Sequence, residues 1–230
     1  MLSGTRAAHL RDVLHVAPGH AVRVGIVDGP RGTATVRSIA DGAVALRCSW
    51  EPDIPPRPAI DLLLAVPRPK VMRRLWAQIA ALGVGQIILT NADKVERNYF
   101  DTHILAPETY RPLLIEGLQQ SRDTRLPIVS IHRQFRPLVE DRLDALFGKG
   151  LRVVADPSAT TRFVNVARAN TAERMLLAIG PEGGWNRFEL SLLEANGAQL
   201  VALGPRILRT DTACIVLVAL AHEMMSREQK

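Results

Sequence analysis

The hydrophobic period of this chain changes once, at a proline-rich stretch, and that change limits the folds open to it. Up to Trp50 apolar residues alternate with polar or small ones: Val22, Val24 and Ile26, then residues 33–39, then Val44, Leu46, Cys48 and Trp50, with turn signals at Asp28-Gly29 and Asp41-Gly42. A period of two between Asp-Gly turns is the pattern of short antiparallel strands with one covered face. Residues 51–58 break it, because four prolines within seven residues admit neither a helix nor the interior of a paired strand. Beyond them, continuous apolar runs alternate with helical spacing. Residues 60–66 read as a buried strand; Val71, Met72, Leu75, Trp76, Ile79 and Leu82 recur at helical spacing up to a Gly83 stop; residues 86–90 form the next strand. Helices are expected around residues 110–121 and 137–147, and strands at Ile128–His132, Leu151–Ala155 and Met175–Ile179. Repeated strand–helix units with wholly apolar strands predict an α/β fold with a mainly parallel sheet covered on both faces. The expected division is a small β-module over residues 1–55 and an α/β domain over residues 56–230.

Charge and cysteine usage narrow the function. The 230 residues carry 29 Lys and Arg against 23 Asp and Glu, a net +6, with a sequence pI near 10.0. A phosphate-rich partner is a reasonable reading of that excess, although modest basicity also serves solubility alone. Six arginines precede Glu51 against three aspartates, so half of the excess lies in the small β-module. Cys48 and Cys214 stand far apart in apolar surroundings and are expected to be buried, reduced thiols. The six histidines form no HxxxH pair and no CxxC occurs, so no metal site is expected. The longest apolar run, from Ala213 to Ala221, is far short of the roughly 20 residues of a membrane-spanning helix. Met1 to Arg6 lack the apolar core of a secretion signal, so a cytoplasmic protein is expected.

The most informative stretch runs from Met175 to Ala221. The strand ending at Ile179 enters Gly180-Pro-Glu-Gly-Gly184, and Asn186 with Glu189 three residues later makes a capping box for a helix ending at Gly197. A strand over residues 199–203 then enters Gly204-Pro-Arg-Ile-Leu-Arg209, after which Thr210 or Asp211 can cap a helix that is apolar almost all round. Two strands joined by one short helix run parallel, so both Gly-Pro loops leave from one sheet edge, where open α/β folds bind ligands. The first loop lacks the GK[ST] ending that cradles phosphates, is not GxGxxG, and carries Glu182, which repels a polyphosphate. Ordinary tight turns would also explain both loops. A phosphate-free cofactor with a positive centre, such as S-adenosylmethionine, suits an acidic, carbonyl-rich pair of loops.

The residues themselves go further. Ile179-Gly-Pro-Glu-Gly-Gly184 followed by Leu203-Gly-Pro-Arg-Ile-Leu-Arg-Thr-Asp-Thr-Ala213 closely resembles, in order and spacing, the signature of the RsmE family of SPOUT methyltransferases. The resemblance covers essentially the whole chain, since the amino-terminal module with His9-Leu10 and Val13-Leu14 is similar to that family's PUA-like β-barrel. It implies methylation of N3 of a uridine in 16S ribosomal RNA of the small subunit, a deep trefoil knot in the carboxy-terminal part of the sheet, and a homodimer built on the last helix. Carried over on matching positions, it implies cofactor contacts at Ile179, Gly180, Pro181, Glu182, Gly183, Gly184, Leu203, Gly204, Arg206, Ile207, Leu208, Thr212 and Ala213. Arg11, Lys70, Arg73, Arg122 and Arg125 are expected to face RNA. Three places depart from the common pattern: Asp211 replaces Glu, Ala80-Ala81 replaces Thr-Glu, and Arg122-Asp123 replaces Gly-Arg.

Methyl transfer from a sulfonium is an in-line displacement, so the protein has to position the methyl and make N3 of uridine available. That nitrogen carries a proton, and charge spreads to O2 and O4 as the proton leaves. A carboxylate can take the proton and an arginine can stabilise the oxygens, which points to Asp211 and Arg209. Asp211 can equally be a helix cap and Arg209 a loop anchor. Trp185 and Phe100 are candidates to stack on an unstacked base, with core packing as the plainer role. Rival readings are a non-catalytic RNA-binding assembly factor and a SPOUT enzyme acting on tRNA.

Overall fold

Alternation by two in the amino-terminal stretch yields three antiparallel strands, β1 (Ala21–Gly25), β2 (Arg31–Ala40) and β3 (Ala43–Trp50), in the order β1-β2-β3. A computed structural model of the chain describes residues 1–169 and 171–226. Asp41 and Gly42 both take positive φ, 50° and 75°, the conformation a two-residue hairpin needs to match strand twist. Helix α1 (Gly4–Ala8) and the π turn His9–Val13 supply Ala7 and Leu10 to a small core with Val36 and Val44. Contacts assign Met1–Pro56 together with Arg122–Arg125 to this first unit, and the rest of the chain to a second. The added segment is bound in by its backbone: the Asp28 N–H donates to the Thr124 carbonyl at 2.7 Å, and the Thr124 hydroxyl donates to the Gly29 carbonyl at 2.7 Å. Asp123 Oδ1 accepts from the Thr124 N–H at 2.6 Å and from Arg31 at 3.4 Å, which gives the unusual Arg122-Asp123 pair a local purpose.

One expectation fails in this unit. Cys48 lies on the face shared by Leu46 and Val44 but is exposed, because the cover over that face ends before it. Trp50, next on the same face, is 43 % exposed.

The second unit is a six-stranded sheet, β4 (Ile60–Ala65), β5 (Val84–Thr90), β6 (Ile128–His132), β7 (Leu151–Ala155), β8 (Met175–Ile179) and β9 (Ala198–Val201), in the order β6-β5-β4-β8-β7-β9. Every pair in it is parallel. All residues of β4, β5 and β8 are buried, as their largely apolar runs require, and Asp61, Gln86 and Thr90 are buried with them. Helix α2 (Pro69–Ala81) starts on a proline and turns Met72, Leu75, Trp76 and Ile79 inward, each worth about 1.5–3 kcal/mol of apolar burial. Gly83, at φ 82°, ends its last turn. Helix α3 (Pro107–Ser121) packs on α2 so closely that a Cβ on Gly117 would lie 2.1 Å from the Ala77 carbonyl oxygen. The helix expected over residues 137–147 is interrupted: α4 (Phe135–Pro137) and α5 (Leu143–Phe147) flank a π turn, Leu138–Arg142. A helix the sequence pattern did not mark, α6 (Phe163–Arg168), follows β7, and α7 (Arg187–Ala195) and α8 (Thr210–Ser226) complete the unit.

At the amino-terminal end of the sheet, Asp61 of β4 is fully buried and receives Arg174 on Oδ2, while Oδ1 has no partner. Burial holds its carboxyl above the ordinary carboxylate range, outweighing the attraction of Arg174.

Candidate active site

A parallel sheet delivers every strand's exit loop to one edge, and here those exits carry the unusual chemistry. Leaving β8, Pro181-Glu-Gly-Gly184 closes a tight turn in which the Gly184 N–H donates to the Pro181 carbonyl at 2.8 Å, with Gly184 at φ 69°. Three neighbouring segments hold that turn and the glycine before it, and the cap of the next helix follows directly. Lys94, after β5, donates to the Gly183 carbonyl at 2.8 Å, and its stem passes so near that a Cβ on Gly183 would lie 2.8 Å from Lys94 Cδ. The Arg68 N–H, after β4, donates to Glu182 Oε1 at 3.0 Å. The Thr210 hydroxyl, opening α8, donates to the Gly180 carbonyl at 3.2 Å. Asn186 and Glu189 form the capping box of α7, both bonds at 2.8 Å, and the other Glu189 oxygen accepts from the Asp93 N–H at 2.7 Å.

The second Gly-Pro loop leaves β9 at the same edge. Gly204 sits at φ 143°, a conformation other residues rarely adopt. Pro205, Arg206, Ile207, Arg209 and Thr212 are exposed, with Leu203, Leu208 and Ala213 half-buried. The exit of β7 is zipped to that of β9: Ala202 N–H donates to Thr161, Phe163 N–H to Ala202, and Asp156 N–H to Val201, at 2.8–3.0 Å. That third exit loop carried no motif in the sequence.

Asp211 lies in the first turn of α8 with its side chain 17 % exposed. Its Oδ1 accepts from the Thr212 N–H at 2.9 Å and its Oδ2 from Arg74 of α2 at 2.9 Å. Each carboxylate oxygen can accept twice, so a lone pair remains on each. Arg74 is thereby an anchor for Asp211 rather than a free helix-face cation. One turn further along α8, burial and the nearby Asp211 carboxylate push the Cys214 thiol up, which leaves it inert as a nucleophile.

The RNA candidates are distributed unevenly. Lys70 and Arg73 are exposed on the first two turns of α2. In the first unit Arg122 is exposed at φ 57°, whereas Arg11 lies 3.7 Å from Asp12, and Arg125 reaches the Asp28 carbonyl at 3.4 Å and its carboxylate at 3.9 Å. Trp185 and Phe100 are 5 % and 8 % exposed. Trp185 packs against Phe135 at 5.3 Å between ring centroids and Phe100 beneath Arg133, so neither is free to stack on a base.

Three polar atoms at the exits of β5 and β8 are buried without a hydrogen-bond partner: Thr90 Oγ1, Asn91 Oδ1 and Trp185 Nε1. Buried polar atoms of this kind gather where a ligand completes them. Trp185 Nε1 borders the start of the glycine turn, where a Cβ on Gly180 would lie 3.2 Å from it; that turn offers backbone carbonyls and the exposed Glu182, which suit a positively charged ligand and oppose a phosphate. His132, at the end of β6, is pushed below the usual histidine range by burial and by Arg142, so it adds no positive charge near neutral pH.

Residues 55–222 match the RNA methyltransferase domain family. Ribosomal RNA small subunit methyltransferase E of Treponema pallidum (strain Nichols) is 30 % identical over 226 residues, covering 95 % of this chain and 84 % of its own length. The protein of the same name from Mycobacterium tuberculosis (strain CDC 1551 / Oshkosh) is 26 % identical over 229 residues, with 99 % and 87 % covered. Among solved structures, the fold is similar to that of ribosomal RNA small subunit methyltransferase E from Neisseria gonorrhoeae bound to S-adenosyl methionine. The TM-score is 0.78 at 21 % identity, with 97 % of this chain and 90 % of that one covered.

Proposed function

Because the chain belongs to the ribosomal RNA small subunit methyltransferase E family of RNA methyltransferases, we propose that it transfers a methyl group from S-adenosylmethionine to N3 of one uridine of 16S ribosomal RNA. The observation that carries this reading is the glycine turn after β8. It is held by Lys94, the Arg68 N–H and Thr210, carries Glu182 and backbone carbonyls, and adjoins buried polar atoms that lack partners.

When bound, the cofactor supplies a methyl group on a positively charged sulfur, ready for displacement. Ile179 to Gly184, Leu203, Gly204, Arg206, Ile207, Leu208, Thr212 and Ala213 hold it. Asp211, kept in place by Arg74, accepts the N3 proton on a remaining lone pair. Arg209, exposed just before α8, offers its guanidinium to the charge that develops on O2 and O4. Glu182 orders its own loop, its Oε1 accepting from the Arg68 N–H. Asp211→Asn and Arg209→Ala should each abolish methyl transfer while keeping cofactor binding, measured by filter assay and calorimetry; wild-type turnover in both would overturn the assignment.

The same reading makes the amino-terminal unit a PUA-like barrel that docks RNA, threads the carboxy-terminal part of the second sheet as a deep trefoil knot, and pairs two cytoplasmic copies over α8. Support for the pairing comes from α8 itself. Its Ile215, Val216 and Leu220 are only partly covered and Ala219 is exposed, on a helix with almost no polar face.

A further inference from the structure

The strands β1, β2 and β3 contain four arginines and no acidic residue or lysine. Register sorts their side chains. Arg23, Thr33 and Ser49 lie directly across from one another on the three strands, and Ala21, Thr35 and Arg47 form the adjacent row. Thr33 and Thr35 are two apart on β2, so both rows share one face. All six residues are exposed. The opposite face carries Val22, Ala34, Val36 and Leu46, which places the small core there. Among the described residues none of the side chains of Arg23, Arg47, Thr33, Thr35 and Ser49 enters a hydrogen bond or ion pair. Two other arginines of the same unit are committed, Arg31 to Asp123 and Arg125 to Asp28, and Arg37 of β2 is exposed beside the bulge between Val36 and Ser38, outside both rows. The two free guanidiniums flank a strip of hydroxyls, with no carboxylate and no aromatic ring in either row.

We propose that this face of the β1-β2-β3 sheet docks the phosphate backbone of RNA, with Arg23 and Arg47 as the charged contacts and Thr33, Thr35 and Ser49 as hydroxyl donors. The charge sign selects a polyanion. Hydroxyls beside guanidiniums suit phosphate oxygens, and without a stacking ring the face positions RNA without reading its bases. Choice of the target uridine therefore lies elsewhere on the protein. The proposal rests on the RNA reading of the preceding subsection and deepens it by naming the surface and its mode.

Each phosphate neutralised on a single strand contributes about 0.7 to the slope of log K against log salt. Binding of the full-length protein to a mixed-sequence single-stranded RNA should therefore lose about 1.4 of slope in the Arg23→Ala/Arg47→Ala double variant. Arg23→Lys/Arg47→Lys should keep the wild-type slope, because a backbone contact needs the charge and not the guanidinium fork. Arg136→Ala, whose charge is already met by Glu140, should also keep it. Circular dichroism and S-adenosylmethionine titration of each variant show that fold and cofactor site are intact.

An unchanged slope in the double alanine variant overturns the proposal. So does loss of slope in the double lysine variant, which would mean base reading. An unchanged RNA slope together with lost binding to polyglutamate would assign the face to an acidic polypeptide instead. A wild-type protein without salt-dependent RNA binding, yet with normal cofactor binding, would sink the RNA reading itself.

Discussion

The two sheets spend their charged residues in opposite ways. In the parallel sheet, four charges near the strand exits are used on the chain itself: Lys94, Glu182, Glu189 and Arg74 each hold a backbone group or another side chain within 3.0 Å. In the antiparallel sheet, Arg23 and Arg47 stand exposed and uncommitted on a face without acids. A fixed edge can hold a small ligand in one geometry, as an in-line displacement requires. A face of uncommitted cations tolerates many geometries, as docking a flexible polyanion requires. Under the proposed function, the difference separates chemistry from capture within one chain.

Glu189→Ala attacks the fixed edge most directly. It removes the reciprocal half of the capping box of α7 and leaves the Asn186 and Asp93 N–H groups unpaired, at a cost of about 3 kcal/mol in urea unfolding. Loss of cofactor affinity should accompany it; a variant of near wild-type stability would show that the clamp is not what fixes the edge. Gly117→Ala should cost about 2 kcal/mol by forcing α2 and α3 apart while leaving RNA affinity unchanged at equal folded fraction.

Asp61→Asn produces a smaller effect that depends on pH. The folded chain holds the Asp61 proton more tightly than the unfolded chain does. Its contribution to stability is thus full below the ordinary value of about 3.9 and is lost as pH rises through the raised folded value. The asparagine variant should therefore gain on wild type between acidic and neutral pH, measured by thermal unfolding, and a pH-independent gap would contradict the burial argument. Least affected should be Arg23→Ala, which changes stability by less than about 0.5 kcal/mol because its side chain touches nothing charged. If it destabilises as much as Glu189→Ala, the contrast between the two sheets is void.

Much of this was legible in the sequence, and the reasons differ by element. β8 was readable to the residue because an unbroken apolar run bounded by turn residues has few other uses, and β6 and β7 because short β-branched stretches stood between polar and turn residues. The capping box of α7 was readable because its partners are three residues apart. The second bond of Glu189, to Asp93, was not, since its partner is 96 residues away and no local period announces it. The same holds for Lys94 with Gly183 and Arg74 with Asp211, separated by 89 and 137 residues. Cys48 fell on the expected face but beyond the reach of its cover, because period predicts direction and not what lies opposite. Trp185 and Phe100 were drawn into packing, the commoner fate of isolated rings. The π turn inside residues 135–147 has no signature that periodicity could expose.

Incubating the protein with labelled S-adenosylmethionine and small ribosomal subunits lacking the modification, then mapping the label in the extracted RNA, decides whether this chain methylates 16S ribosomal RNA. Label is expected on N3 of a single uridine of 16S ribosomal RNA and is expected to be absent with Asp211→Asn. Label confined to tRNA, or none despite cofactor binding, would contradict that expectation.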